Sequence, residues 1–398
     1  MNAPSVDLEN RGTGRGCFRI RSRRIGLWVH FRIQAEWEAV VRQVDETLDR
    51  VNSRPSRRAA GALPGNGWDD YLKAAPAVAA LSRKSLLEET DPAGSTHPLS
   101  LLLQGTRRAT ARYPFPEIRR RDYLLPPALQ NTASGVLAVG NPSAKVLFDK
   151  GKRREAIDLL LDESIFGLDL WDRGFETDVL DGQGVVRQCF VDLEAMIVSR
   201  TLGKDDLLHL LGRLQHLDSS WPDHEIALQN DLLDLGMLLI REDRDEEIRL
   251  RFSDHERVRR EWRTLYSSRF LAVRQFRNAE AILRRVSDTQ KLPIEIAHPT
   301  IFRIHQEAQA SPDPLMSTFY HVLYGTSSRT MRAQGRLMQM AARYLTTGEL
   351  VELSDPMGGK LQAAAAGERV VFRRIGVISD AAPPPSGPED IVVETERK

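Results

Sequence analysis

From Ile25 to Val51 the apolar residues Val29, Ile33, Trp37, Val40, Val41, Val44, Leu48 and Val51 recur every three to four positions. That spacing places them on one stripe of a single long helix. Such a stripe is covered either by the body of the same chain or by a membrane or partner onto which it projects. Hydrophobic residues at 41% and charged residues at 28% provide enough material for one large core or two ordinary ones, and exclude collagenous or wholly disordered chains.

The same helical spacing continues after a Pro-, Gly- and Arg-containing linker over residues 55–67. Trp68-Asp-Asp-Tyr-Leu opens a helix running towards Leu87 with Pro76 inside it, and Pro98–Arg112 reads as another, ended by Tyr113-Pro-Phe-Pro116. Ser143–Lys150, Arg153–Leu170, Val185–Ser199, Lys204–Leu217 and Glu225–Ile240 are separated by short Gly- or Asp-bearing breaks. Gly151, flanked by Ala144 and Ala156, resembles the tight corner between paired helices of tetratricopeptide-like repeats, although no 34-residue period recurs. Arg241–Arg263 carries eight basic and eight acidic residues, the pattern of a solvated helical face. Lys291–Thr300 and Ser311-Pro-Asp-Pro314 read as connections, and Thr330–Thr347 as a helix filled by Met331, Leu337, Met338, Met340 and Ala341.

Beyond residue 350 the periodicity changes. Val370, Phe372, Ile375, Val377 and Ile378, then Ile391–Val393, have the β-branched and aromatic content of short strands, with Ala381–Pro388 between them. The expected fold is therefore mainly α, an array of antiparallel helical hairpins with a small antiparallel β cap at the C-terminus. Its divisions are a disordered basic tail over residues 1–24, a long N-terminal amphipathic helix over 25–54, the linker at 55–67, a helical body over 68–350 and the cap over 351–398.

Residues 1–121 hold 21 Lys/Arg against 13 Asp/Glu, a surplus of +8 in a chain whose formal charge is +1. A basic front of this kind suits an anionic membrane surface; the alternative is that Arg57, Arg58, Arg107, Arg108 and Arg119–Arg121 solvate loops and helix faces. Nucleic acid is disfavoured, because neither an interleaved aromatic platform nor a helix-turn-helix pattern accompanies the arginines. The apolar run Ile25–Val29 is interrupted by His30 and Arg32 and is too short for a spanning helix or a signal-peptide core. Cys17 and Cys189 specify no disulfide framework.

Candidate chemistry is sparse. The pairs His209/His216 and His298/His305 sit seven residues apart, His224 and Glu225 lie beyond Pro222, and no zinc spacing results. Gly12-Thr-Gly-Arg-Gly16 is not a dinucleotide fingerprint, and no phosphate-binding loop, nucleophile elbow or His-Glu-x-x-His occurs. Asp162-Glu163 and Asp205-Asp206 read as helix-start or surface acids. No cofactor follows from any of this. The densest polar set is Asp169, Asp172, Arg173, Glu176 and Asp178 around Gly174. Asp355-Pro-Met-Gly-Gly359 reads as a tight turn through Asp355, Pro356, Gly358 and Gly359.

Asp355-Pro-Met-Gly-Gly-Lys360, Gly376-Val-Ile-Ser-Asp380 and Asp390-Ile resemble the ending of type II secretion pseudopilins. The same ending occurs in largely helical bacterial envelope proteins that usually carry an N-terminal membrane anchor; to these Asn66-Gly-Trp-Asp-Asp-Tyr71 and Gly167-Leu-Asp-Leu-Trp-Asp-Arg-Gly174 are also similar. Met357 stands where the pseudopilin ending has an aromatic, and Ala381-Ala-Pro-Pro-Pro385 replaces the calcium-binding loop, leaving Asp380 and Asp390 as weak calcium candidates. The resemblance implies a non-enzymatic helical scaffold or interaction protein with a protein partner, at the cell envelope and peripheral to or weakly anchored in the inner membrane. The alternatives are a cytoplasmic protein, and an enzyme with a polar site between helices near Gly174.

Overall fold

Helices separated by short breaks build most of the molecule, and a four-stranded antiparallel sheet closes its C-terminal end, as a computed structural model of the chain shows. The structure describes residues 13–53, 63–84, 97–112, 131–173, 176–240, 268–310, 324–366, 369–375 and 390–394. Helix α1 (Thr13–Ser53) is followed by a short strand β1 (Leu63–Asn66), α2 (Gly67–Lys84), α3 (Pro98–Gln104), a 3₁₀ turn (Gly105–Arg107) and β2 (Arg108–Thr110). The body continues with α4 (Thr132–Asp149), α5 (Arg153–Arg173), α6 (Glu176–Val198), α7 (Lys204–Ser219), α8 (His224–Ile240), α9 (Arg269–Gln290), α10 (Ile294–Gln309) and α11 (Tyr324–Thr347). Strands β3 (Leu353–Ser354), β4 (Lys360–Ala366), β5 (Arg369–Ile375) and β6 (Ile391–Glu394) form the cap in simple sequential order.

Neighbouring helices pack in sequence from α2 onto α4, α4 onto α5 and α5 onto α6; α11 then returns against α6 and α7, while α1 lies against α8 and α9. The core runs through these contacts. Trp68, Tyr71 and Phe166 form an edge-to-face stack at 5.4 and 5.1 Å, and Trp171 meets Trp221 at 6.0 Å. The apolar stripe of α1 finds the partner it requires: Val40, Val44 and Leu48 are buried, and Gly236 of α8 is kept small by Val44. Burying those three side chains contributes roughly 4–9 kcal/mol before the entropy of ordering the helix is counted.

Several boundaries differ from the sequence expectation. Helix α1 begins at Thr13, inside the stretch expected to be a tail, because a packed helix propagates at one hydrogen bond per added residue and arginine is a good helix former. Part of the expected linker is strand β1, which pairs in parallel with β2. The Asn66 side chain holds the pair, its Nδ2 donating to Arg112 O (2.6 Å) and its Oδ1 accepting from Arg112 N (2.8 Å). The helix expected over Pro98–Arg112 therefore stops at Gln104. Helix α4 starts eleven residues before Ser143, and its Gly135 and Gly140 are points of close contact with Val78 and Glu163. Helix α6 likewise starts at Glu176, ahead of the expected Val185. Lys291–Thr300, expected as a connection, mostly belongs to α10 with Pro299 inside it, and α9 was assigned no element from sequence. The charged segment Arg241–Arg263 and the loop Ser311–Pro314 lie outside the described residues.

In the cap, Leu361, Val370, Phe372, Ile391 and Val393 are buried at alternate positions, and Phe372 meets Tyr344 of α11 at 5.9 Å. Alanine-rich Lys360–Ala366 would favour helix on propensity alone. Unbroken antiparallel register with β5, from Lys360↔Ile375 to Ala366↔Arg369, decides for strand.

Candidate functional site

The polar set around Gly174 is divided between the end of α5 and the start of α6. Asp169 accepts a hydrogen bond from the Tyr71 hydroxyl at 2.5 Å, and Asp178 is buried at the start of α6. Asp172 lies one helical turn from Asp169 on α5; Gly174 and the side chains of Arg173 and Glu176 lie outside the described residues. Asp169 is thus part of the aromatic core's polar rim, tied to the Trp68-Asp-Asp-Tyr71 element.

The surface reading of Asp162-Glu163 is overturned: both are buried, at 1% and 0% exposure. Asp162 is enclosed by charge. Arg107 donates to its Oδ2 from Nε (3.0 Å) and Nη2 (2.8 Å), and Arg213 donates to Oδ1 (2.6 Å). Asp158, one turn earlier, lies 2.8 Å from His209 Nε2, which gives His209 a structural partner on α5. The Asp162 carboxylate raises the pKa of Arg107, so this guanidinium stays charged. Glu163 faces the other way, into the α4–α6 contact, where burial pushes its pKa well above the usual carboxyl value. Cys189 donates weakly to its Oε2 at 3.5 Å, its Oε1 has no partner among the described residues, and a Cβ on Gly140 would fall 1.7 Å from that oxygen. Burial thus favours the protonated form of Glu163, and it pushes the Cys189 thiol well up too, with Glu163 adding to the shift.

The Asp355–Gly359 turn forms as the sequence suggests and has a second role in packing. Asp355 Oδ1 accepts from Met357 N (2.8 Å), Gly358 N donates to Asp355 O (2.9 Å), and Gly358 and Gly359 take φ of 103° and 94°. Met357 is buried against the body: its carbonyl accepts from Ile294 N at 2.8 Å and its sulfur from the Thr330 hydroxyl at 3.7 Å. A Cβ on Gly358 would approach Pro293 to 3.2 Å. Met357 thus plugs the α9–α10 corner.

Beside that plug, a cleft of about 470 Å³ opens between body and cap. Its lining comes from the α7–α8 corner (Trp221, Pro222, Asp223), from Glu225, the end of α9, the first described turns of α11, and Pro356. Glu225 accepts from Ser287 (2.7 Å) and pairs with Lys291 (2.9 Å), which hold its pKa below the usual value. Arg332 and Arg336 converge on Asp218, and Arg336 also donates to Ser354 O (2.8 Å), so a single cation joins α7, α11 and β3. None of this was legible from sequence, because the lining is drawn from four separate segments.

Asp390 is exposed just before β6, and Asp380 lies outside the described residues; no group of three or more His, Cys, Asp or Glu placed to hold a metal occurs among the described residues. At the opposite end of the chain, Gln34 of α1 accepts from Arg269 (2.5 Å), and the Arg269 guanidinium lies 5.6 Å over the Trp37 ring. Ahead of them Phe31 is 67% exposed. Comparison with family models, with curated proteins and with solved structures finds no match to this chain.

Proposed function

We propose that the chain is a non-enzymatic helical interaction protein of the bacterial cell envelope, held at an anionic membrane surface by the first half of α1 and presenting its helical body to a protein partner. One observation carries this reading: the first half of helix α1 has a run of arginines and apolar residues with no acidic residue among them. Over residues 13–33 the sequence holds Arg15, Arg19, Arg21, Arg23, Arg24 and Arg32, no acidic residue, and Phe18, Ile20, Ile25, Leu27, Trp28, Val29, Phe31 and Ile33. Arginines interleaved with aromatic and aliphatic residues suit the plane of an anionic headgroup layer, where each cation contributes about 1 kcal/mol. No described helix is long and apolar enough to cross a membrane; the attachment proposed is a peripheral one. The resemblance of Asp355–Lys360 and Gly167–Gly174 to envelope proteins supports the same reading.

Sedimentation with vesicles tests it. Binding is expected to phosphatidylglycerol-containing vesicles at low salt, to weaken steeply at 0.5 M salt, and to be absent from purely zwitterionic vesicles. Arg19→Ser combined with Arg23→Ser and Arg24→Ser is expected to abolish it while the thermal unfolding of the body is unchanged. Equal binding to neutral vesicles, or none to anionic ones at low salt, rules the membrane reading out.

A further inference from the structure

The cleft between body and cap contains hydrogen-bond donors that the molecule itself does not use. Lys291 is neutralised by Glu225 and Asp288, and Arg332 by Asp218. Arg329 differs: its guanidinium donates from Nη1 to the Leu292 carbonyl (2.8 Å) and forms no ion pair among the described residues. Burial pulls its pKa down, opposed by the charge of Asp355, yet a guanidinium in such a site stays protonated at neutral pH. On the same lining Gln290, 6% exposed, has a buried Nε2 with no hydrogen-bond partner among the described residues. Ser328, 4% exposed, accepts from Trp221 Nε1 at 3.2 Å, which leaves its own hydroxyl proton for another acceptor.

The buried Gln290 Nε2, without an acceptor among the described residues, carries a desolvation cost that an incoming anion would relieve, and the Arg329 guanidinium and Ser328 hydroxyl line the same cleft. The rest of the lining restricts which anion fits. Asp223 and Glu225 stand on the same wall and oppose a second negative charge, which disfavours a phosphate dianion. Trp221, Pro222 and Pro356 supply apolar surface for the remainder of the ligand, and about 470 Å³ is within the usual range for small-ligand sites.

We propose that this cleft binds a monoanionic carboxylate attached to an apolar body, with Arg329, Gln290 and Ser328 holding the carboxylate and Trp221 with the two prolines covering the apolar part. Such a carboxylate belongs either to a free small acid or to the C-terminal residue of a peptide. The inference is independent of the membrane reading, since vesicle binding rests on α1 and this site lies on α9, α11 and the cap.

Titration calorimetry of the full chain with N-acetyl-leucine, N-acetyl-leucinamide and inorganic phosphate tests it. The acid is expected to bind at least about tenfold more tightly than the amide or phosphate, because only the acid offers a single planar charge. Arg329→Gln is expected to lower affinity by about tenfold or more, Gln290→Leu by a smaller factor, and Arg329→Lys, which keeps the charge without the fork, by an intermediate one. A pentapeptide with a free C-terminal leucine separates the two sources: tighter binding than N-acetyl-leucine assigns the site to chain termini, equal binding to free acids. Equal affinity of acid and amide in the unmodified protein overturns the proposal whatever the variants do. Phosphate binding tighter than the acid, or a folded Arg329→Gln protein that binds the acid unchanged, overturns it too.

Discussion

Asp162 and Glu163 are adjacent on α5 and resolve burial in opposite ways. Asp162 is met by the guanidinium groups of Arg107 and Arg213, whereas Glu163 has only a thiol beside it and burial pushes its pKa well up. Replacing Asp162 by Ala removes three charge-assisted hydrogen bonds while both arginines can turn to water; a loss of about 2–3 kcal/mol is expected from urea denaturation. For Glu163 the sign follows from the raised pKa. Below the ordinary glutamate range both folded and unfolded chains hold the proton. As pH rises through that range the unfolded chain releases it while the fold retains it, so the contribution to stability is full at low pH and is lost with rising pH. Glu163→Gln should therefore match the unmodified protein near pH 4 and exceed it in stability near pH 7.5, a difference that denaturation at the two pH values reads directly. A variant less stable at both would show that the carboxyl is needed for its shape.

Among the elements, α5 and α6 approach through a pair of glycines. A Cβ on Gly182 would lie 2.3 Å from the Gly167 carbonyl oxygen, while Gly184, two residues on, faces open space. Gly182→Ala should cost about 1–3 kcal/mol or more, because backbone has to move. Gly184→Ala should add about 0.5–1 kcal/mol through helix propensity, and the thermal shifts of the two variants should have opposite signs. Elements with an unmixed signal were legible in sequence: α5, α7 and α8 have unbroken apolar spacing and clear stops. The first half of α4, which holds Gly135, Gly140 and Pro142, was not, and Pro299 beside His298 hid α10. The Asp355 turn was legible because its chemistry is local; the cleft beside it was not, since Trp221, Gln290 and Arg329 meet only in three dimensions.

At the scale of the molecule, body and cap are joined by few but specific contacts: Met357 in the α9–α10 corner, Arg336 reaching Ser354, and Arg200, at a left-handed φ of 54° after α6, donating to Glu394 O at 3.1 Å. Met357→Ala should empty the plug, cost about 2–5 kcal/mol, and shift cap and body unfolding together if they form one cooperative unit. Deleting residues 1–30 tests the proposed membrane role of the first half of α1: vesicle binding should be lost while the melting temperature of the body stays within a degree or two of the full chain's.

The pairing of α1 with α8 and α9 also has a history in time. Gln43 donates to Glu280, 237 residues downstream, and accepts from Arg277. At roughly 5–20 residues per second, the buried face of α1 is outside the ribosome for on the order of 10–50 s before its partner helix has been made. Through that interval Val40, Val44 and Leu48 have no native surface to cover, which makes this helix the segment of the nascent chain most in need of a chaperone.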